Sequence, residues 1–170
     1  GADQARFMPA AGDIKSSSFK TWFKGSDIKD AKGEPLVVYH GSKTEGGVID
    51  RFKTPAWFSP DEFAADWFGD PKEYYLSIKN PATYENLIDA ADRIGIKEAQ
   101  DTEGYGFYPE ISRHSVYDGY NFNDLVYVPE VRQQLKKMGY DGWKGWDVLG
   151  NDEILAIVAF DHSQIKSKGK

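Results

Sequence analysis

The chain has 170 residues, of which 40% are hydrophobic and 15% aromatic, and its formal net charge is −6. These values suit one domain with its own core and speak against a chain-wide electrostatic grip on nucleic acid. The absence of cysteine excludes disulfides, thiolate metal sites and a cysteine nucleophile. The three histidines lack metal-site spacing and no apolar run could cross a membrane, so we expect no metal and no membrane partner.

The first part of the chain is interpreted as a linker or the remnant of a tag. It covers residues 1–17, which are small and polar, and residues 18–170 are interpreted as a single domain. The chain begins with glycine and not methionine, which predicts excision from a larger polypeptide. Aromatic residues spaced three and four apart within residues 19–23 predict a short helix at the start of the domain.

The stretch LVVYHGS, residues 36–42, predicts a buried strand that runs directly into His40. A second strand, AWFS at residues 56–59, precedes a helix that we expect Ser59 to cap. Taken singly, a histidine after an apolar run is most often structural, and an aromatic residue such as Trp57 is most often part of the core.

Later elements continue the mixture of strands and helices. We predict them at residues 73–81 (strand), 83–95 (helix), 129–138 (helix) and 153–161 (strand). Residues 97–122 show no clear period and predict a long loop with one short helix, and the glycine- and tryptophan-rich residues 141–153 predict another loop. Because the elements do not form regular βαβ units, the fold class is expected to be α+β.

The order of these pieces resembles the ADP-ribosyltransferase fold in its H-Y-E branch, which includes diphtheria toxin and the poly(ADP-ribose) polymerases. It is most similar to the small transferase domains of phage and plasmid polyvalent proteins and bacterial polymorphic toxins. The similar stretches, in order, are FKTWFKGS, DAKGEPLVVYHGS, AWFSPDEFAADWF, YYLSIKNP, GYDGW and IVAFDHSQIKS. The resemblance implies a split β-sandwich of two antiparallel sheets with flanking helices around an NAD cleft.

The first group of site residues implied by the resemblance follows the first strand. His40 would hydrogen-bond the ribose hydroxyls of NAD⁺, and Gly41 would offer its backbone to the nicotinamide carboxamide. Ser42 would support the carboxamide through its hydroxyl. A glycine suits the middle position because a side chain would block close approach of the ligand.

The second group implied by the resemblance is aromatic. The nicotinamide ring would stack on Trp57, where the family usually has tyrosine, and Phe58 and Ser59 complete that family motif beside the cofactor. The opposite face of the ring would meet an aromatic residue on the following helix, either Trp67 or Phe68.

The catalytic glutamate of the family is missing at its expected position. Aligning the family strand on IVAFD places that glutamate at Ala156. Strand alternation puts Ala156 and Glu153 on opposite faces. Three explanations are open: an engineered Glu→Ala change, a naturally degenerate domain that binds NAD⁺ without transfer, and a substitute acid, Glu153 or Asp152, that reaches in from the loop.

The resemblance therefore implies a mono-ADP-ribosyltransferase, a toxin or effector that acts in the cytoplasm of the producing or target bacterial cell. The alternatives are an NAD glycohydrolase and a catalytically dead NAD-binding or interaction module. The acceptor would be a protein or a nucleic acid, contacted by Trp143 and Trp146, and the acidic charge favours a protein. An immunity protein would be a further partner.

Overall fold

The computed structural model describes residues 9–42, 54–113 and 122–168, and these residues form a mixed α+β fold. The α-helices are α1 (Ser17–Phe23), α2 (Glu62–Asp66), α3 (Tyr84–Arg93) and α4 (Pro129–Lys137). The strands are β1 (Val38–Ser42), β2 (Ala56–Phe58), β3 (Asp70–Leu76), β4 (Pro81–Ala82), β5 (Ala99–Gln100), β6 (Gly106–Phe107), β7 (Gly142–Leu149), β8 (Asp152–Ala159) and β9 (Ile165–Ser167). Short 3₁₀ helices cover Pro109–Arg113, Phe122–Tyr127 and His162–Gln164. No helix within the described residues is long and apolar enough to cross a membrane.

The strands form two main sheets, which confirms the expected sandwich. The first has the order β1-β3-β9 and is antiparallel throughout. The second has the order β2-β8-β7-β4, and it is antiparallel except that the short strand β4 runs parallel to β7. Strands β5 and β6 pair as a separate small hairpin. The second sheet is therefore mixed, whereas the resemblance implied two purely antiparallel sheets.

Apolar side chains on alternate strand positions divide the molecule into layers. One cluster fills the space between the sheets and includes Val38, Phe58 and Ile157. A second cluster, which includes Ala156, covers the other face of the four-stranded sheet with α3, α4 and the 3₁₀ helices. Helix α1 covers the outer face of the three-stranded sheet through Phe19. Each sheet thus buries both of its faces, as its two-sided hydrophobic pattern requires.

Helices α1, α2 and α3 begin at residues whose side chains cap them, whereas α4 begins at Pro129 without a side-chain cap. Ser16 caps α1 and Thr83 caps α3, each by accepting a hydrogen bond from a backbone N–H in the first turn. The prediction for α2 was wrong, because its cap is Asp61 and not Ser59. The Ser59 hydroxyl instead accepts a hydrogen bond from the backbone N–H of Asp61, so it orders the turn that precedes the helix.

The predicted loop at residues 141–153 was also wrong, because strand β7 and a tight hairpin to β8 occupy it. The glycines in this stretch suggested turns, but in the structure they allow neighbouring side chains to pack closely against the strand. A β-carbon at Gly142 would lie 2.6 Å from the Ile78 side chain, and one at Gly145 would lie 2.6 Å from the Trp143 ring. Glycine in a strand can therefore mark close approach by a neighbour and not a break.

Two other stretches are more ordered than their patterns suggested. Residues 97–113 contain the expected short helix, at Pro109–Arg113, but also the β5–β6 hairpin, which was not predicted. Within the segment interpreted as a linker, Ala10 forms a β-bridge with Ser167. The N–H of Ala11 donates a hydrogen bond to the carbonyl oxygen of Ser167 at 2.7 Å. These contacts attach residues 9–11 to the edge of the three-stranded sheet.

Candidate NAD site

His40 lies on β1, with its ring against the space between the two sheets. Its Nδ1 lies 2.7 Å from the backbone oxygen of Trp57, and its ring centroid lies 5.5 Å from that of Phe58. Because a carbonyl oxygen can only accept, Nδ1 carries the hydrogen and Nε2 is left as an acceptor. Burial lowers the pKa of His40, which keeps the ring neutral at neutral pH. His40 can therefore accept a hydrogen bond from a hydroxyl group.

The glycine after His40 is required by the fold itself. A β-carbon at Gly41 would lie 1.8 Å from the backbone oxygen of Ala65, near the end of α2. No side chain fits there unless α2 moves away from β1. The backbone of Ser42 pairs with Asp70, but the side chain of Ser42 lies outside the described part of the structure. Gly41 thus positions α2, in addition to the ligand contact that the resemblance implies.

The structure brings Trp57 together with Phe68 and not with Trp67. The ring centroids of Trp57 and Phe68 are 5.2 Å apart and their planes are inclined by 58°. A third ring between them would need a separation of about 7 Å, twice the optimal carbon–carbon distance. Trp67 is 55% exposed and its indole lies over Gly150 at the β7–β8 turn. Phe68 is therefore the aromatic neighbour of Trp57, and this pair must separate to admit a ring.

The two residues after Trp57 have no exposed surface, so a direct contact with a ligand is not available to them in this structure. Phe58 packs between the sheets against His40 and Tyr74. Ser59 exchanges two backbone hydrogen bonds with Tyr39, which joins β2 to β1. Phe58 thus supports the His40 ring, and Ser59 fixes the backbone of the residue before His40; both roles differ from the ligand contacts that the resemblance implies.

Ala156 lies on the same face of the four-stranded sheet as Trp57, because Trp57 pairs with Val158, two residues further along β8. Ala156 itself pairs with Gly145, and the indole of Trp143 lies over that glycine. Trp143 is only 1% exposed, so the expected contact between Trp143 and an acceptor is not available in this structure. The space beside Ala156 is instead shared between small residues and one indole.

The two acids weighed as substitutes for the missing glutamate are poorly placed. Glu153 pairs with Val148 and lies on the opposite face of β8 from Ala156, because strand positions alternate. Asp152 lies on the same face as Ala156, but four residues away, which corresponds to about 13 Å along a strand. Neither carboxylate lies beside Ala156 in this geometry.

Comparison of the sequence with protein-family models identifies the family of this chain. The model of the family described as ADP-ribosyltransferase in polyvalent proteins matches residues 30–169. The chain belongs to this family. The matched region contains β1, the Trp57–Phe68 pair and the whole of β8, so every implied site residue lies within it. ADP-ribosyltransferases use NAD⁺ as substrate, which gives the expected ligand of the site.

A solved structure is similar in outline to this ADP-ribosyltransferase domain. It is the crystal structure of an anti-CRISPR protein, with a TM-score of 0.41 and 13% identity. The similarity covers 77% of this chain and 93% of that one. The comparison with curated proteins gave no match.

Two acidic residues that the sequence did not reveal lie on the Ala156 side of the transferase domain. Asp147 pairs with Ile154, so it is the diagonal neighbour of Ala156 on the adjacent strand. Asp124 lies on the Phe122–Tyr127 helix, where burial and then the charge of Asp147 raise its pKa to about 6. Had residues 142–149 been recognised as a strand, alternation from Trp143 through Gly145 would have placed Asp147 here.

Trp146, the other expected acceptor contact, is exposed. It lies on β7, facing away from Ala156, and 67% of its surface is accessible. Its backbone oxygen accepts a hydrogen bond from the side-chain nitrogen of Asn123 at 3.1 Å. This bond ties the hairpin to the helix that carries Asp124, while the indole remains available for contact with another molecule.

Proposed function

We propose that this domain binds NAD⁺ and transfers its ADP-ribose to a macromolecular acceptor, as a toxin or effector in the cytoplasm of the producing or target bacterial cell. The observation that carries the proposal is the family match over residues 30–169. The geometry supports it because the hydrogen bond from His40 to the Trp57 carbonyl turns Nε2 into an acceptor suited to a ribose hydroxyl.

In the proposed reaction the bond between the nicotinamide nitrogen and ribose C1′ breaks, and its electron pair leaves with nicotinamide. A nucleophile of the acceptor then bonds to C1′ and releases its proton. His40 accepts a hydrogen bond from a ribose hydroxyl, and the backbone of Gly41 faces the carboxamide. Trp57 and Phe68 separate and hold the nicotinamide ring between them, which fixes the reacting atoms in position.

The oxocarbenium-like ribose is stabilised by a nearby negative charge, which in this family is supplied by a glutamate. Ala156 supplies no charge, so we expect this chain to bind NAD⁺ but to release nicotinamide slowly. Among the carboxyl groups on the Ala156 side, Asp147 is the diagonal neighbour, and Asp124 interacts with it electrostatically. Residual nicotinamide release would therefore depend on Asp147 more than on Glu153, which lies on the opposite face.

The first test is calorimetric titration of NAD⁺ into this chain, into His40→Ala and into His162→Ala as a matched histidine control. His162 lies on the short helix before β9, outside the proposed site. We expect His40→Ala to weaken binding by about tenfold, the typical effect of one lost hydrogen bond, and His162→Ala to leave it unchanged. Absence of NAD⁺ binding, or equal affinity in all three proteins, would contradict the proposal.

Two alternative functions remain on the same scaffold, and nicotinamide release by an Ala156→Glu variant separates them from transfer. Release that requires added cell lysate supports transfer to a macromolecule. Release without lysate indicates an NAD glycohydrolase, and binding without release indicates an NAD-binding or interaction module. The new side chain must fit beside the Trp143 indole, so thermal unfolding should first establish that the variant is folded.

We propose a protein as the acceptor, with a nucleic acid as the alternative. The net charge of −6 opposes polyanion binding, and the exposed Trp146 offers a surface for protein contact. After reaction of the Ala156→Glu variant with labelled NAD⁺ and lysate, protease should remove the label from macromolecules and nuclease should not. An immunity protein is a further proposed partner, and it would be expected to suppress the labelling.

A further inference from the structure

A groove of about 710 Å³ lies on the helical side of the molecule and involves none of the residues assigned to NAD⁺. One wall is the exposed stripe of α3, and the others come from the segment after α3, from the residues after β6 and from the start of the Phe122–Tyr127 helix. Its lining residues are Tyr84, Glu85, Ile88, Asp89, Asp92, Ile96, Lys97, Glu98, Tyr108 and Phe122. Its volume is in the range of sites that bury a substantial ligand.

The floor of the groove is apolar and aromatic. Ile88, Ile96 and Phe122 pack against the buried cluster beneath them, and Tyr108 belongs to that cluster. The rings of Tyr108 and Phe122 meet edge to face, with centroids 5.3 Å apart. Tyr84 is 39% exposed at the entrance. Such a floor suits the aliphatic stem of a long side chain, and its ring faces attract cations.

The rim of the groove is acidic. Among the described residues that line the groove, four carry carboxylates and one, Lys97, carries a positive charge. Lys97 pairs with Asp92 at 2.7 Å, and Asp89 pairs with Arg93 at 3.2 Å, whereas Glu85 and Glu98 form no ion pair with another described residue. The groove therefore carries an excess of negative charge beside aromatic surface.

The position of Glu98 follows from the shape of the chain around it. Its carboxylate lies directly over Gly106 on β6, where a β-carbon would overlap the Glu98 oxygen at 1.7 Å. Glycine at this position therefore lets the acid lie across the hairpin. Burial raises the pKa of the Tyr108 hydroxyl, with the charge of Glu98 as the next contribution, which agrees with a negative potential inside the groove.

This chemistry excludes some ligands and favours one. The phosphates of NAD⁺ and of nucleic acids would be repelled by the acidic rim. Lysine and arginine side chains combine a cationic head with an apolar stem, and an open groove of this size has room for several neighbouring residues. We propose that the groove docks a lysine- or arginine-bearing segment of a partner protein, at a surface separate from the NAD⁺ site.

The test uses fluorescence anisotropy with a labelled eight-residue peptide that contains two arginines and a leucine. The matched peptide has citrulline in place of both arginines, which keeps the shape and removes the charge. The binding variant is Glu85→Gln/Glu98→Gln, and the control is Glu34→Gln/Glu130→Gln, which makes the same change in net charge at exposed sites outside the groove. Thermal unfolding establishes that each variant is folded.

We expect the Glu85→Gln/Glu98→Gln variant to bind the arginine peptide about five- to tenfold more weakly than the control variant, with binding that falls as salt is raised. Tyr84→Leu should also weaken binding, because it keeps apolar bulk and removes the ring face. Equal affinity in both double variants, equal affinity for the citrulline peptide, or no binding at all would overturn the proposal. Free arginine or spermine binding as tightly as the peptide would also overturn it, in favour of a small-cation site.

The docking proposal and the proposed NAD⁺ function can fail independently. NAD⁺ titration of the Glu85→Gln/Glu98→Gln variant should give the same affinity as the unmodified chain, because no groove residue is assigned to NAD⁺. Loss of peptide binding with NAD⁺ affinity retained supports two separate surfaces. Loss of both from the folded variant would contradict the separation.

Discussion

The two faces of the four-stranded sheet use the same strands for different purposes. Towards the three-stranded sheet, Phe58 and Ile157 are completely buried and close the sandwich around His40. Towards the helices, Trp57 is half-buried, and Ala156 has a glycine opposite it, an indole nearby and Asp147 as its diagonal neighbour. A shift of one position along β2 therefore separates a residue that supports the site from one that lines it. Adjacent residues of one family motif therefore need not have the same role.

The largest expected effect on stability comes from the face of the four-stranded sheet that packs against the three-stranded sheet. Phe58→Ala should lower the free energy of unfolding by about 3 to 5 kcal/mol, the usual cost of truncating a buried phenylalanine. Trp146→Ala is the control, because this aromatic residue is on the same face of the sheet but 67% exposed, and it should cost less than about 0.5 kcal/mol. Urea unfolding measures both values. Similar values for the two variants would mean that the burial of Phe58 between the sheets contributes little to stability.

The contact between β1 and α2 should give the next largest effect. Gly41→Ala places a methyl group against the backbone oxygen of Ala65, so we expect a loss of about 2 to 3 kcal/mol in the free energy of unfolding. Gly12→Ala is the control for backbone strain alone, because φ there is 64° but no atom lies within 4 Å of the new carbon. It should cost about 1 kcal/mol. Gly41 is not among the glycines with positive φ, so if Gly41→Ala did not lower the free energy of unfolding, the close approach of α2 would be unimportant.

Local chemistry explains which parts of the fold could be predicted from sequence. Apolar spacing predicted α1, α3 and α4, and apolar runs predicted β1 and β8, whereas the one cap predicted from the sequence, Ser59, was wrong. Strand β7 was missed because glycine usually indicates a turn. At Gly142 and Gly145, glycine is instead required because a neighbouring side chain packs closely against each residue in the folded structure. Such long-range contacts leave no local pattern.

The candidate site shows the same limit. The resemblance supplied His40, Gly41 and Trp57, but only the structure could choose Phe68 over Trp67. The two rings belong to adjacent residues that follow the end of α2 at Asp66, whereas both were expected on the helix itself. The acidic pair could not be predicted, because Asp124 and Asp147 are 23 positions apart in the sequence. Asp147 lies in the predicted loop at residues 141–153, and Asp124 lies outside every predicted element.

The choice of Phe68 sharpens the comparison on the helical face. Phe68→Ala removes the ring that contacts Trp57, so we expect NAD⁺ affinity to fall about tenfold, within the range of one aromatic contact. Trp67→Ala removes a larger ring that lies over the β7–β8 turn, and it should change NAD⁺ affinity less than about twofold. Calorimetry on both variants decides the matter, and the reverse order of effects would place the nicotinamide ring on Trp67.

The smallest expected effect concerns the acidic pair on that face. The pKa of Asp124 is raised from 3.8 to about 6 in the folded state, so the folded protein holds a proton that the unfolded chain has lost between these values. This contribution to the free energy of unfolding is complete at low pH and is lost as the pH rises through about 6. Because the carboxylate is partly exposed, we expect a loss of about 1 kcal/mol.

Asp124→Asn removes this titration, so the free energy of unfolding of the variant relative to the unmodified chain should increase by about 1 kcal/mol from about pH 4 to about pH 7. His40, whose pKa is lowered, makes the fold less stable as the pH falls below 6.5, but this contribution is common to both proteins and cancels in the difference. Asp66→Asn, at an exposed position on α2, controls for the loss of one carboxylate. A difference that does not change with pH would mean that Asp124 does not occupy the buried position beside Asp147 that raises its pKa.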